Sequence, residues 1–195
     1  MPVRSLPFGS NNAVDTLHTA QGQDIVEVIL VDSSDRPLGT MEKLRAHEEG
    51  RLHRAISVLI FNSTGEMLIH RRALGKYHCG GLWTNACCSH PQPGESALEA
   101  AHRRLYEEMG LEAKLKPSFE FIYRAELDNG LVEYEYDHVF VGLSDATPQP
   151  DPAEVDGYTY QPLRTLEGDL SDHPDWFTPW FRIIMEERAR NGRIG

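Results

Sequence analysis

Of the three cysteines in this 195-residue chain, two stand side by side just ahead of a histidine, in Trp83-Thr-Asn-Ala-Cys87-Cys88-Ser-His90-Pro91. Residues two apart in an extended segment face the same side, so Cys88 and His90 share a face and Cys87 points away. That leaves Cys88 as the cysteine beside a good metal ligand, whereas Cys79 and Cys87 read as inert core residues. Glu133-Tyr134-Glu135 alternates in the same manner, which sets two carboxylates on one face of a strand, roughly 7 Å apart at about 3.4 Å per residue. Like charges so placed are costly beside a core and comfortable beside a cation. With His47, His53 and His90 they make an N/O donor set for zinc, manganese or a similar divalent ion. Each histidine alone, one of nine, reads more readily as structural or exposed, and the glutamate pair alone reads equally well as a solvated strand face.

A third constellation belongs to a helix. Ser96-Ala-Leu-Glu99 spells a capping box, Leu98, Ala101, Leu105 and Met109 recur at helical spacing, and Gly110 suits the stop. With Leu105 at the centre of the buried face, steps of 100° put Glu108 about 60° and Arg104 about 100° to one side, with Glu107 nearly opposite. Arg104 and Glu108 thus share a flank. In an arbitrary helix such a pair is a surface ion pair worth about 0.3 to 0.5 kcal/mol.

The elements that must position these groups are mostly strands. Asp24–Val31 and Leu38–Lys43 read as a hairpin around Asp32–Pro37. Ala55–Phe61 and Glu66–Arg71 form a second around Asn62-Ser-Thr-Gly65, with glycine where positive φ is usual. Phe119–Glu126 and Val132–Val141 flank the turn signal Asp128-Asn129-Gly130. Asp145–Gly157, with three prolines, reads as a loop before a short strand at Tyr158–Gln161. His47 and His53 flank a short charged loop, and a second helix runs from Thr178 as cap and Pro179 to Asn191-Gly192. The expected class is α+β, a mixed sheet flanked by helices, with 1–22 as a loose arm and 23–195 as one catalytic domain.

Composition narrows the partners. Lys plus Arg number 19 and Asp plus Glu 30, a net charge of −11, which opposes broad binding to nucleic acid or anionic lipid. A phosphate-bearing ligand must therefore be held locally, by a few basic residues or by metal ions. No apolar run approaches the roughly 20 residues of a membrane span, no export signal stands at the start, and the adjacent cysteines suit no disulfide. These features predict a cytoplasmic protein with reduced thiols, without nucleic-acid or membrane partners, as a monomer or weak homodimer.

Glu95, seven residues, and then Arg103-Arg-Leu-Tyr-Glu-Glu-Met-Gly-Leu111 resemble the Nudix box, a loop-helix-loop that binds metal-chelated diphosphates. Ser89 stands where that box opens with glycine, and Arg104 where hydrolytic members carry a glutamate. A guanidinium can neither join a metal cluster nor accept a proton at neutral pH, but it can hold a phosphate. The Thr84–Pro91 stretch with Glu-Tyr-Glu, Glu42-Lys43, Arg51-Leu-His53, Arg71-Arg-Ala-Leu74 and Thr178-Pro-Trp180 resembles the type 1 isopentenyl-diphosphate isomerases of the Nudix superfamily, from about Asp24 to Ile184.

That resemblance implies a Nudix-like fold and interconversion of isopentenyl and dimethylallyl diphosphate. It implies Cys88 and Glu135 as acid and base, Tyr123 assisting the proton transfer, and Trp180 turning its ring to a carbocation. It places Lys43, Arg72, Lys76 and Arg104 on the diphosphate and a bridging Mg²⁺ on Glu108 and the backbone carbonyl of Cys88. Mn²⁺ or Zn²⁺ would sit among His47, His53, His90, Glu133 and Glu135. Two rival readings are a Nudix hydrolase of a nucleoside diphosphate derivative, which Arg104 opposes, and an inactive metal-binding interaction domain, which intact Cys88, Glu135 and Tyr123 oppose.

Overall fold

The computed structural model describes residues 26–127 and 130–192. The expected arm, the start of the first expected strand and Asp128-Asn129 of the expected turn lie outside these residues. The described strands are β1 (Glu27–Val31), β2 (Pro37–Glu42), β3 (His53–Phe61), β4 (Glu66–Arg72), β5 (Trp83–Asn85), β6 (Cys87–Ser89), β7 (Lys116–Glu126), β8 (Val132–Leu143) and β9 (Val155–Pro162), all in one sheet. The helices are α1 (Lys43–Glu48), α2 (Ala97–Met109), α3 (Leu163–Asp172) and α4 (Pro179–Arg190).

Three hairpins expected from turn chemistry are present: β1 with β2, β3 with β4, and β7 with β8. Gly65 has φ 80° and Gly130 φ 74°, so each turn uses the left-handed conformation that glycine adopts at no steric cost. The centre of the sheet is β3, which runs parallel to β8 along its whole length and antiparallel to β6. Its alternation separates two cores. Ile56, Val58 and Ile60 pack with Leu105 and Met109 of α2 on one face, while Leu59 packs with Trp180, Phe181 and Ile184 of α4 on the other.

Several boundaries differ from the sequence reading, each for a physical reason. The second expected strand stops at Glu42, whose carboxylate accepts from the backbone N–H of Leu44 and Arg45 at 2.8 and 2.7 Å and caps α1. His47 therefore lies on a helix and His53 opens a strand, rather than both edging a loop. The last strand begins at Val155, three residues past the third proline, because β4 supplies a pairing edge from Glu66 to Arg72. Helix α3 went unread: it has no side-chain cap, carries Gly168 in its interior and fully buries only Leu166. Strands β5 and β6 are three residues each, too short to display a period.

Helix α2 matches expectation closely. Ser96 and Glu99 exchange the two capping-box hydrogen bonds, and Gly110 ends the helix with φ 61°. A Cβ at Gly110 would lie 2.6 Å from the Gln149 carbonyl oxygen, so the close approach of the 144–154 loop also requires glycine. Thr178 occupies the N-cap position of α4, but its hydroxyl makes no capping bond there and is turned elsewhere.

Candidate active site

Register places the expected proton-handling groups in one row. Tyr123 of β7 pairs with Glu135 of β8, and Glu135 pairs with His53 of β3. The Tyr123 hydroxyl lies 2.7 Å from Glu135 Oε2 and 3.1 Å from Glu133 Oε2, so the phenol bridges the two carboxylates. All three side chains are buried. Burial and the charge of Glu135 push the Glu133 carboxyl well above the usual range. Burial works the same way on Glu135, but the His53 and His90 imidazoles beside it overcome that effect and hold the carboxyl well below.

Three histidines meet at Glu135. His47, His53, His90 and Glu135 each offer a ligand atom within 4.8 Å of the others. His47 Nδ1 lies 2.7 Å from the Lys43 carbonyl and His53 Nδ1 2.8 Å from that of Arg51. A carbonyl only accepts, so each Nδ1 carries the proton and each Nε2 presents a lone pair. These groups gather round His90, whose Nε2 is 3.1 Å from His53 Nε2 and 3.0 Å from Glu135 Oε1. His47 Nε2 is buried with no hydrogen-bond partner. Burial lowers the His47 imidazole below its ordinary value and takes that of His90 down to about 3, so both rings stay neutral, which is the ligand form. Two imidazole lone pairs and a carboxylate oxygen converging in a buried space, with His90 among them, fit a divalent cation. Glu133 is not in this tight group and reaches it through Tyr123.

The adjacent cysteines separate as their alternation predicts. Cys87 is fully buried in the α2 core, its thiol 3.5 Å from Glu108 Oε1, whereas Cys88 packs on the α4 side. Cys88 donates to Asn85 Oδ1 at 2.9 Å and lies 3.3 Å from Ser57 Oγ, which in turn donates to Asp137 Oδ2 at 2.7 Å. Burial and the nearby Asp137 carboxyl raise the Cys88 thiol well above its ordinary value, so it is protonated at neutral pH.

A narrow cleft joins these groups to a cationic end. Lys43, Arg72, Lys76, Arg104 and Glu108 line it, together with Cys88, Tyr123, Glu133, Glu135 and Trp180. Arg104 Nη2 lies 2.6 Å from Glu108 Oε1, and its Nη1 lies 2.7 Å from Glu107, so Arg104 reaches both flanks of α2. Lys76 is ion-paired with Glu154, which also approaches Arg104 at 3.6 Å. The Arg72 guanidinium carbon sits 5.0 Å from the centre of the Trp180 ring, so that ring already engages a cation on one face. Glu95 holds Arg103 through two bonds of 2.7 Å and braces the entry to α2.

Sequence reading missed Ser57, Asn85, Asp137, Glu154 and His78, all at or next to the cleft. Asp137 continues the period-two series of Glu133 and Glu135, a signal that was present. Glu154 came from a segment read as loop, where nothing local marks a carboxylate that will meet Lys76 and Arg104.

The NUDIX domain pattern matches residues 51–181. An isopentenyl-diphosphate Delta-isomerase of Pectobacterium atrosepticum is 54% identical over 83% of this chain and 90% of its own length. One of Burkholderia multivorans is 48% identical over 82% and 90%. A crystal structure of a Deinococcus radiodurans protein superposes with a TM-score of 0.63 at 22% identity, covering 75% of this chain and 90% of that one, a likeness of fold. The box helix, the cysteine-histidine motif and the paired glutamates therefore stand in a chain that belongs to the NUDIX domain family and, within it, to the isopentenyl-diphosphate Delta-isomerases.

Proposed function

We propose that this protein interconverts isopentenyl diphosphate and dimethylallyl diphosphate, with Cys88 and Glu135 as the two proton-handling groups. The observation that carries this reading is that one cleft holds a protonated thiol, a carboxyl hydrogen-bonded to a tyrosine, and a cationic end. Isomerisation adds a proton to the terminal methylene carbon, leaves a tertiary carbocation, and removes a proton from the carbon next to the oxygen-bearing methylene. An alkene is a very weak base, so the step needs a positioned acid and a site closed to water.

In this reading Tyr123 links Glu135 to the buried Glu133, and the Trp180 ring supports the carbocation, a contact worth about 2 kcal/mol when desolvated. Lys43, Arg72, Lys76 and Arg104 hold the diphosphate. His47, His53, His90 and Glu135, with Glu133 behind them, would hold Mn²⁺ or Zn²⁺, and Glu108 with the Cys88 backbone carbonyl would hold a Mg²⁺ on the diphosphate. Bound there, such cations fix the ionisation of Glu135 and neutralise phosphate charge. The catalytic unit spans 23–195, and the three thiols, none in a disulfide, suit a cytoplasmic setting.

The Arg104–Glu108 pair speaks against hydrolysis, since it leaves a guanidinium where a water-activating carboxylate would act. The test is deuterium wash-in from heavy water into isopentenyl diphosphate, with and without chelator, for the wild type, Cys88→Ala and Glu135→Gln. Label enters both carbons with the wild type and neither with the variants. Near-normal exchange in either variant overturns the assignment of acid and base.

A further inference from the structure

Behind the thiol lies a buried hydrogen-bond network in which Asn85 and Thr84 have every donor and acceptor used. Asn85 Nδ2 donates to the Val58 carbonyl at 3.1 Å and the Cys87 carbonyl at 2.8 Å, which uses both amide protons. Its Oδ1 is thereby turned the other way, where it accepts from Cys88 Sγ at 2.9 Å and from Thr84 Oγ1 at 3.1 Å. Thr84 Oγ1 accepts in turn from the Trp180 indole Nε1 at 3.0 Å and from Thr178 Oγ1 at 3.1 Å. Asn85 and Thr178 have no exposed surface and Thr84 has 1%.

We propose that Thr84 and Asn85 are positioning residues that fix the Cys88 thiol and the Trp180 ring relative to one another. The geometry allows one arrangement: the two carbonyls exclude the flipped carboxamide, and a hydroxyl that has accepted twice must give its proton to Asn85. The thiol of one wall and the indole of the other are thus referred to a single carboxamide oxygen. Thr178 supplies independent support. It sits where a threonine would cap its own helix, yet its hydroxyl serves Thr84 instead. A carbocation flanked by two groups tolerates little error in their spacing, so the network acts on the reacting geometry and not on the diphosphate end.

This inference rests on Cys88 being a reacting group, and its experiment separates the two. Thr84→Val keeps the shape and removes the hydroxyl; Thr84→Ser keeps the hydroxyl and removes the methyl. We expect Thr84→Val to lower kcat about tenfold, the rate equivalent of one hydrogen bond, with KM for isopentenyl diphosphate within about twofold of wild type, and Thr84→Ser to stay near wild type. Thermal melts and circular dichroism accompany each variant, and Thr84→Ala replaces Thr84→Val should valine unfold the chain. A packing role predicts the reverse order, with serine impaired and valine normal. That order, or a Thr84→Val kcat within twofold of wild type, overturns the proposal. Cys88→Ala run alongside assigns any failure: an active Cys88→Ala removes the underlying reading, while an inactive one beside a normal Thr84→Val removes only the positioning role.

Discussion

The two ends of the cleft are built on opposite principles. At the cationic end, Lys76 and Arg104 are partly exposed and already hold carboxylates, Glu154 and the buried Glu108, so the charges sit in matched pairs. At the other end Cys88 is half-buried and Tyr123, Glu133 and Glu135 are buried, with protons distributed by burial and hydrogen bonds, and neutral imidazoles rather than ion-paired side chains surround Glu135. The first arrangement suits a ligand that arrives charged and displaces existing ion pairs. The second suits chemistry that must pass through a cation without water. The adjacent cysteines show the same division on a smaller scale, since Cys87 faces an apolar core and Cys88 faces the site.

Four measurements break or sharpen this contrast. The largest effect is expected at the dry end: Cys88→Ala or Glu135→Gln lowers kcat by about 10² to 10⁴ fold, the range for general acid and base groups. Cys87→Ala leaves kcat nearly unchanged and costs about 1 kcal/mol of stability; a catalytic collapse in Cys87→Ala abolishes the division between the cysteines. Next, His53→Gln lowers the metal content measured on the purified protein and removes most activity, whereas Glu154→Gln leaves metal content at that group intact. At the cationic end, Arg104→Gln raises KM by about tenfold or more with a smaller change in kcat, as expected from loss of a charged hydrogen bond; a pure kcat effect would move Arg104 into the chemistry.

The smallest effect is on stability. Burial and the Arg72 charge lower His70 from an ordinary 6.5 to about 3, so the folded state resists its protonation while the unfolded state does not. The contribution is full above pH 6.5 and is lost as pH falls toward 3. Denaturant titrations across that window therefore show stability falling with acid, and His70→Gln reduces the slope by up to about 1.4 kcal/mol per pH unit. An unchanged slope would remove His70 from the account.

Legibility in the sequence followed the range of the interactions involved. The capping box, Gly110 and the Asn62–Gly65 turn are local devices and were read correctly. The same-side placement of Cys88 and His90, and of Glu133 and Glu135, follows from strand alternation alone. The Arg104–Glu108 pair follows from helical pitch. Glu42 was missed as a cap because strand and helix propensity compete there, and only the bonds to Leu44 and Arg45 decide it. Glu154, Ser57 and Asn85 carry no local mark, because each meets a partner 78, 31 or 27 residues away that the fold defines.

What the sequence determined on its own is the inventory and its local direction: which thiol, which carboxylates and which guanidinium share a side, since those depend on backbone periods of 2 and 3.6. The tertiary structure decided which of these meet. Parallel pairing of β3 with β8 sets His53 opposite Glu135, and antiparallel pairing of β7 sets Tyr123 beside it. Register is chosen by burial of whole strand faces, a sum over many side chains that no short motif encodes.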